Sequence, residues 1–169
     1  MKKGPFYILI LALSLSFCLI QGKAESLNEE YPFAPEFVLK DVQGNEISMS
    51  DLKGKVVYLN FWAMRCPPCK DEIPDFVEFY SQYKDKGVEI IGIHVERVSL
   101  DDLIDFMKDP KYKVNYPVAW ATQELMLDYQ PGRFIPATII IDKQGRIRHK
   151  QVGRMDRESL EYYYLKFSK

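Results

Sequence analysis

Cys66 and Cys69 are separated by Pro67 and Pro68, and a pair at this spacing can serve as a redox couple, as half of a metal site or as a short structural bridge. A bridge across so small a loop removes little chain entropy. A structural zinc site wants about four ligands, and beyond this pair the chain offers His94 and His149 with no second Cys-x-x-Cys. Haem attachment wants a histidine where Lys70 stands. Reversible thiol-disulfide chemistry is the use that these residue types fit best, with no cofactor implied.

Such a pair works only where a thiolate is tolerated. The apolar run from Val56 to Trp62, rich in β-branched and aromatic residues, predicts a strand buried on both faces. After the cysteines, Ile73, Phe76, Val77 and Tyr80 recur along one face of a helix, with Pro74 expected to kink it and Gly87 to end it. Cys66 therefore falls at a strand-to-helix junction, where free amides and the positive end of the helix dipole favour a thiolate. With Cys66 at the N-cap, the amides within reach belong to the residues two and three positions on. Pro68 has none, which leaves Cys69. Proline is tolerated in a first helical turn, so the expectation is a less stabilised thiolate and a more reducing pair. Arg65 acts the other way if its side chain turns toward the sulfur.

The remaining elements frame this junction. Phe37-Val38-Leu39 and Glu46 to Met49 flank Gln43-Gly44-Asn45 and predict an opening β-hairpin. Val88 to Val95 reads as a second buried strand. Ser99 caps a short helix stopped by Pro110, Pro117 to Trp120 reads as a short strand, and Glu124 to Tyr129 as a short helix. Ala137 to Ile141 and Arg146 to Val152 form strands around a turn at Asp142 to Gly145, and a last helix from Asp156 buries Leu160, Tyr163, Tyr164 and Phe167. The order contains a βαβ unit around the cysteines followed by a hairpin and a helix, which predicts a layered α/β domain with a mixed sheet. Trp62 and His94, each at the end of a buried strand, read as packed residues, and His149 as one on a strand face open to water.

The 169 residues suffice for one domain with a sizeable core. With 23 basic and 24 acidic residues there is no excess positive charge to hold a phosphate backbone, which argues against nucleic acid as a partner. Lys2 and Lys3 precede an uncharged apolar stretch from Pro5 to Ile20, and Gly22-Lys23-Ala24 resembles a cleavage site. Residues 1–24 are expected to act as a signal peptide or membrane anchor, with cleavage near Ala24, retention and lipidation at Cys18 as the three possible fates. Residues 25–35, punctuated by Pro32 and Pro35, are expected to form a tether to a domain over residues 36–169. Export would place Cys66 and Cys69 where disulfides persist.

Asn60-Phe61-Trp62-Ala63 leading into Cys66-Pro67-Pro68-Cys69, together with Ile135-Pro136-Ala137-Thr138 ahead of a strand that ends in Asp142 to Gly145, resembles the thioredoxin fold. More closely, the chain is similar to the membrane-tethered TlpA/ResA-like extracytoplasmic thiol-disulfide oxidoreductases, from about Phe33 to Gly153. The resemblance implies a thioredoxin-like three-layer α/β/α sandwich in which Cys66 attacks, Cys69 resolves, and Pro136 follows a cis peptide bond facing them. It implies that Ile135 offers its backbone to an extended substrate. Trp62 and Arg65 are candidate neighbours of that substrate, although Arg65 stands where the family usually has an aromatic residue. Gly132-Arg133-Phe134 is a second departure, replacing the commoner small-residue approach to the proline.

The family's buried acid before the motif is matched here by Asn60, which cannot titrate. Glu72, three residues after the second cysteine, matches the acid of the ResA-like branch and could take the proton from Cys69. The alternative is that Glu72, beside Asp71, only complements the helix dipole. The partners implied are protein thiols and disulfides, apocytochrome c among them, and a membrane-embedded electron donor. Two other readings use the same cysteines: a peroxiredoxin-type peroxidase, for which the Pro-x-x-x-Thr-x-x-Cys arrangement is missing, and a metal-binding or chaperone module.

Overall fold

The computed structural model describes residues 31–169. Its elements in chain order are β1 (Val38–Lys40), β2 (Glu46–Ser48), β3 (Val56–Trp62), α1 (Pro67–Tyr83), β4 (Val88–His94), α2 (Leu100–Lys108), β5 (Val118–Trp120), α3 (Gln123–Tyr129), β6 (Ala137–Ile141), β7 (Ile147–Val152) and α4 (Arg157–Phe167). β1 and β2 pair antiparallel, and the other five strands form one sheet in the order β5-β4-β3-β6-β7. Pairing is parallel across β5, β4 and β3 and antiparallel across β3, β6 and β7, the mixed sheet that a βαβ unit followed by a hairpin must give.

β3 lies at the centre and every one of its residues is buried, which explains why its sequence is nearly all apolar instead of alternating. Val56, Tyr58 and Trp62 pack into a cluster with residues of α1, α2 and α4. Val57, Leu59 and Phe61 pack on the opposite face with Leu39 of the hairpin, Met49, Leu52, and Leu125 and Tyr129 of α3. The sheet is thus the middle of three layers. Tyr58 brings a hydroxyl into the first cluster and donates it to the Leu160 carbonyl at 2.7 Å, which ties β3 to α4.

The expected stripe of α1 is rotated. Its buried residues are Cys69, Glu72, Ile73, Phe76, Phe79 and Tyr83, whereas Val77 and Tyr80 are only half-buried. The helix is apolar over a wide arc, and the contacts with α4 decide which part goes inward: Phe79 meets Tyr58, Tyr83 and Tyr164. α1 continues through Pro74, which sits on its exposed side. Tyr163 and Tyr164 of α4 are likewise half-buried. His149, expected to face water, is stacked on Tyr163 at 4.2 Å because α4 lies over the edge strand β7.

The last residues of the expected tether are already bound to the domain. The Ala34 amide donates to the Gly145 carbonyl and the Ile147 amide to that of Pro32, while Phe33 bridges to Arg146. The guanidinium of Arg146 lies over Phe33 and that of Arg148 over Tyr31. This strap sits at the end of the sheet where β3 begins, since Val57 pairs with Ile141 just before the β6–β7 turn. The cysteines follow the other end of β3.

Candidate active site

β3 delivers the chain to the cysteine loop, and the head of α1 receives it. Cys66 is the N-cap, with extended backbone (φ −93°, ψ 110°), and Pro67 and Pro68 occupy the first helical turn. The Cys69 amide lies 3.3 Å from Cys66 Sγ and is the helix amide that caps it, as the missing Pro68 donor requires. Cys66 and Cys69 form a disulfide. Cys66 is half-buried at the rim whereas Cys69 has no exposed surface, so only the first sulfur can be met from outside.

The loop before β6 closes one side of the site. The Ile135–Pro136 bond is cis, and the Ile135 carbonyl oxygen lies 3.8 Å from Cys66 Sγ. Pro136 is held from behind by the Gly153 amide, which donates to its carbonyl at 2.8 Å.

Beneath the disulfide lies a polar floor. Glu72 is one turn of α1 beyond Cys69, hence on the same buried face. Its Oε1 accepts from Asn60 Nδ2 at 2.8 Å and its Oε2 from the Met155 amide at 2.9 Å. Asn60 Nδ2 also donates to Thr138 Oγ1 at 3.1 Å, so β3 and β6 both hold this floor. Burial pushes the Glu72 carboxyl up to about 7, against the opposing pull of those two hydrogen bonds. A carboxyl with that value can accept or release a proton near neutral pH.

Asn60 was visible in the sequence as the one strongly polar side chain of a strand buried on both faces, where it must find a partner. The Met155 amide carried no such signal, because it reaches Glu72 across 83 residues of chain.

Trp62, expected among the substrate's neighbours, is fully enclosed. Its ring packs edge-on against His94 and tilted against Phe106. A Cβ at Gly92 would fall 2.8 Å from Trp62 Nε1, so the strand beneath the indole has room only for glycine. Trp62 can support the cysteine loop but cannot touch a substrate. His94 ends its strand as a packed residue: its Nε2 accepts from the Met64 amide at 3.2 Å, fixing that loop from below. Burial lowers the His94 pKa despite the opposing influence of Glu96, which favours the neutral ring that such acceptance needs.

Arg65 is exposed and its Nε meets Glu96 Oε1 at 3.3 Å, so its charge is partnered on the rim. Among the described residues no group of three or more His, Cys, Asp or Glu is arranged to hold a metal ion.

A helix-capping disulfide facing a cis-proline loop on a five-stranded mixed sheet defines a thioredoxin-fold thiol-disulfide oxidoreductase. Residues 32–150 match the AhpC/TSA family, and the chain belongs to that family, in its ResA-like branch. The thiol-disulfide oxidoreductase ResA of Bacillus subtilis (strain 168) is 37% identical over 170 residues, covering 99% of this chain and 92% of that protein. Among solved structures, a thiol:disulfide interchange protein of the thioredoxin family from Chlorobium tepidum TLS superposes with a TM-score of 0.76 at 30% identity, over 82% of this chain and 97% of that one. The pneumococcal exposed lipoprotein thioredoxin from Streptococcus pneumoniae strain TIGR4 gives a TM-score of 0.67 at 28% identity, over 78% and 99%.

Proposed function

We propose that this oxidoreductase works outside the cytoplasm as a reductant of protein disulfides, with Cys66 as attacking thiolate and Cys69 as resolving thiol. The observation that carries the assignment is the unequal exposure of the two sulfurs, Cys66 at the rim beside the Ile135 carbonyl and Cys69 enclosed above Glu72. The Cys66 thiolate attacks one sulfur of a substrate disulfide, forming a mixed disulfide and releasing the other substrate sulfur as a thiolate. Cys69 then gives its proton to the Glu72 carboxylate and attacks Cys66 Sγ. The second substrate thiolate leaves, and the protein holds the Cys66–Cys69 disulfide. Two electrons have passed to the substrate, and an external dithiol donor in the membrane restores the pair.

Ile135 and Pro136 form the wall against which the substrate lies, Arg65 stands on its rim, and Trp62 supports it from beneath. An apocytochrome c with oxidised haem-binding cysteines is the substrate that the ResA-like resemblance suggests. Residues 1–24 serve export or anchoring and residues 25–35 link them to the domain, a reading supported by the Lys2-Lys3 and apolar pattern and by likeness to an exposed lipoprotein.

The test is capture in cells with Cys69→Ser. This variant should accumulate mixed disulfides on Cys66 that a small dithiol releases. Partners retained by Cys66→Ser and none by Cys69→Ser would reverse the roles of the two cysteines.

A further inference from the structure

Phe134 is 74% exposed, more than any other large apolar side chain among the described residues. It joins neither core cluster and makes no ring contact there, so the fold gains nothing from its placement. Other exposed aromatic residues are used differently: Phe33 lies under the Arg146 guanidinium, and Tyr162 packs on Tyr163. Phe134 directly precedes Ile135, whose carbonyl oxygen is 3.8 Å from Cys66 Sγ. The loop reaches this position through Gly132, whose φ of +112° suits only glycine, and a Cβ there would lie 3.7 Å from Val152 Cγ2. Val152, at the end of β7, is itself half exposed. Val152 therefore lies beside Gly132 at the start of the loop, and Phe134 directly precedes the residue that meets the nucleophile. Arg133, between Gly132 and Phe134, is exposed and forms no ion pair among the described residues.

We propose that Phe134, with Val152 beside the start of its loop, determines specificity by receiving a large apolar side chain adjacent to the substrate's cysteine. The occupant is an extended protein segment in which the reacting cysteine is followed by an aromatic or aliphatic residue, with an acidic residue nearby to meet Arg133. Contiguity with the attacking sulfur selects a substrate over a stable partner: an apolar ledge at this place is covered only while a mixed disulfide holds the segment against it. The inference rests on the reductase reading above.

The experiment measures kcat/KM for two disulfide-linked peptides that differ only in the residue after cysteine, Phe in one and Ser in the other. The wild-type protein should favour the Phe peptide on the order of tenfold. Phe134→Ser should reduce that preference to about twofold or less, and Val152→Ser should reduce it by a smaller factor. Leu165→Ser, which alters an exposed apolar residue of α4, should keep the wild-type ratio. Both peptides are read on one sample, so partial unfolding lowers both rates together and leaves the ratio intact. Equal rates in the wild type, or an unchanged ratio in Phe134→Ser, would overturn the proposal while leaving the reductase reading standing. Reduction of neither peptide would overturn both.

Discussion

Cys66 stands half open at the head of α1 with one helix amide in reach, whereas Glu72, less than two turns further along the same helix, is fully enclosed and holds two donors. The two groups share a scaffold and differ in what surrounds them. At the rim, prolines have taken away amides and the neighbouring charges reach solvent. At the floor, β3 and the loop before α4 converge on one carboxylate, and Thr138 of β6 reaches it only through Asn60. On the proposed mechanism, the rim is where substrate is met and changed residues alter selectivity, and the floor is where a proton is held and changed residues alter pH dependence.

The strongest way to break this contrast is Glu72→Gln, which keeps the shape of the floor and removes its charge. Thiol-disulfide exchange in the native protein should rise with pH through about 7 as the carboxylate forms. The variant should lose that step and run about a hundredfold slower or less. Stability supplies an independent readout. The folded carboxyl sits above its unfolded value of 4.5, so between that value and about 7 the native state keeps a proton that the unfolded chain has lost. Unfolding free energy should then fall by on the order of 3 kcal/mol as pH climbs through that window, and level off above it. Denaturant titrations of the oxidised protein and of Glu72→Gln across pH 4 to 8 check this: the fall should be absent from the variant, leaving the opposite and smaller slope of the buried His94. An unchanged rate profile would leave Glu72 a structural role only.

A smaller effect sharpens the rim. Pro68→Ala restores an amide two positions from Cys66, so the thiolate should gain a donor and its pKa fall. The pair should become more oxidising in step. Titration of the reduced proteins by thiolate absorbance reads this directly, and a lower pKa in the native protein would contradict the reading of the prolines. The smallest effect belongs to Arg65→Ala. Its ion pair with Glu96 is exposed on the arginine side, so stability should change by less than about 1 kcal/mol in chemical denaturation.

Much of this arrangement was legible in the sequence, for identifiable reasons. The apolar run of β3, the Ser99 cap and the N-cap position of Cys66 are local, and their residues announce them. The cis bond before Pro136 came from resemblance alone, because proline by itself is seldom cis. What escaped depended on distant segments. The inward face of α1 was set by α4, Arg65 found its partner at Glu96, and the floor under Glu72 drew its second donor from Met155. His149 shows the same limit: its strand alternates as if wet, and only the packing of α4 covers it.

The strap at Tyr31 to Ala34 joins the domain where β3 begins, while the sulfurs follow its far end, a separation of about 20 Å along a seven-residue strand. The strap and the sulfurs therefore occupy opposite ends of the central strand. A substitution in the strap can reach the sulfurs only through the length of β3, so the two ends of the sheet can be altered separately.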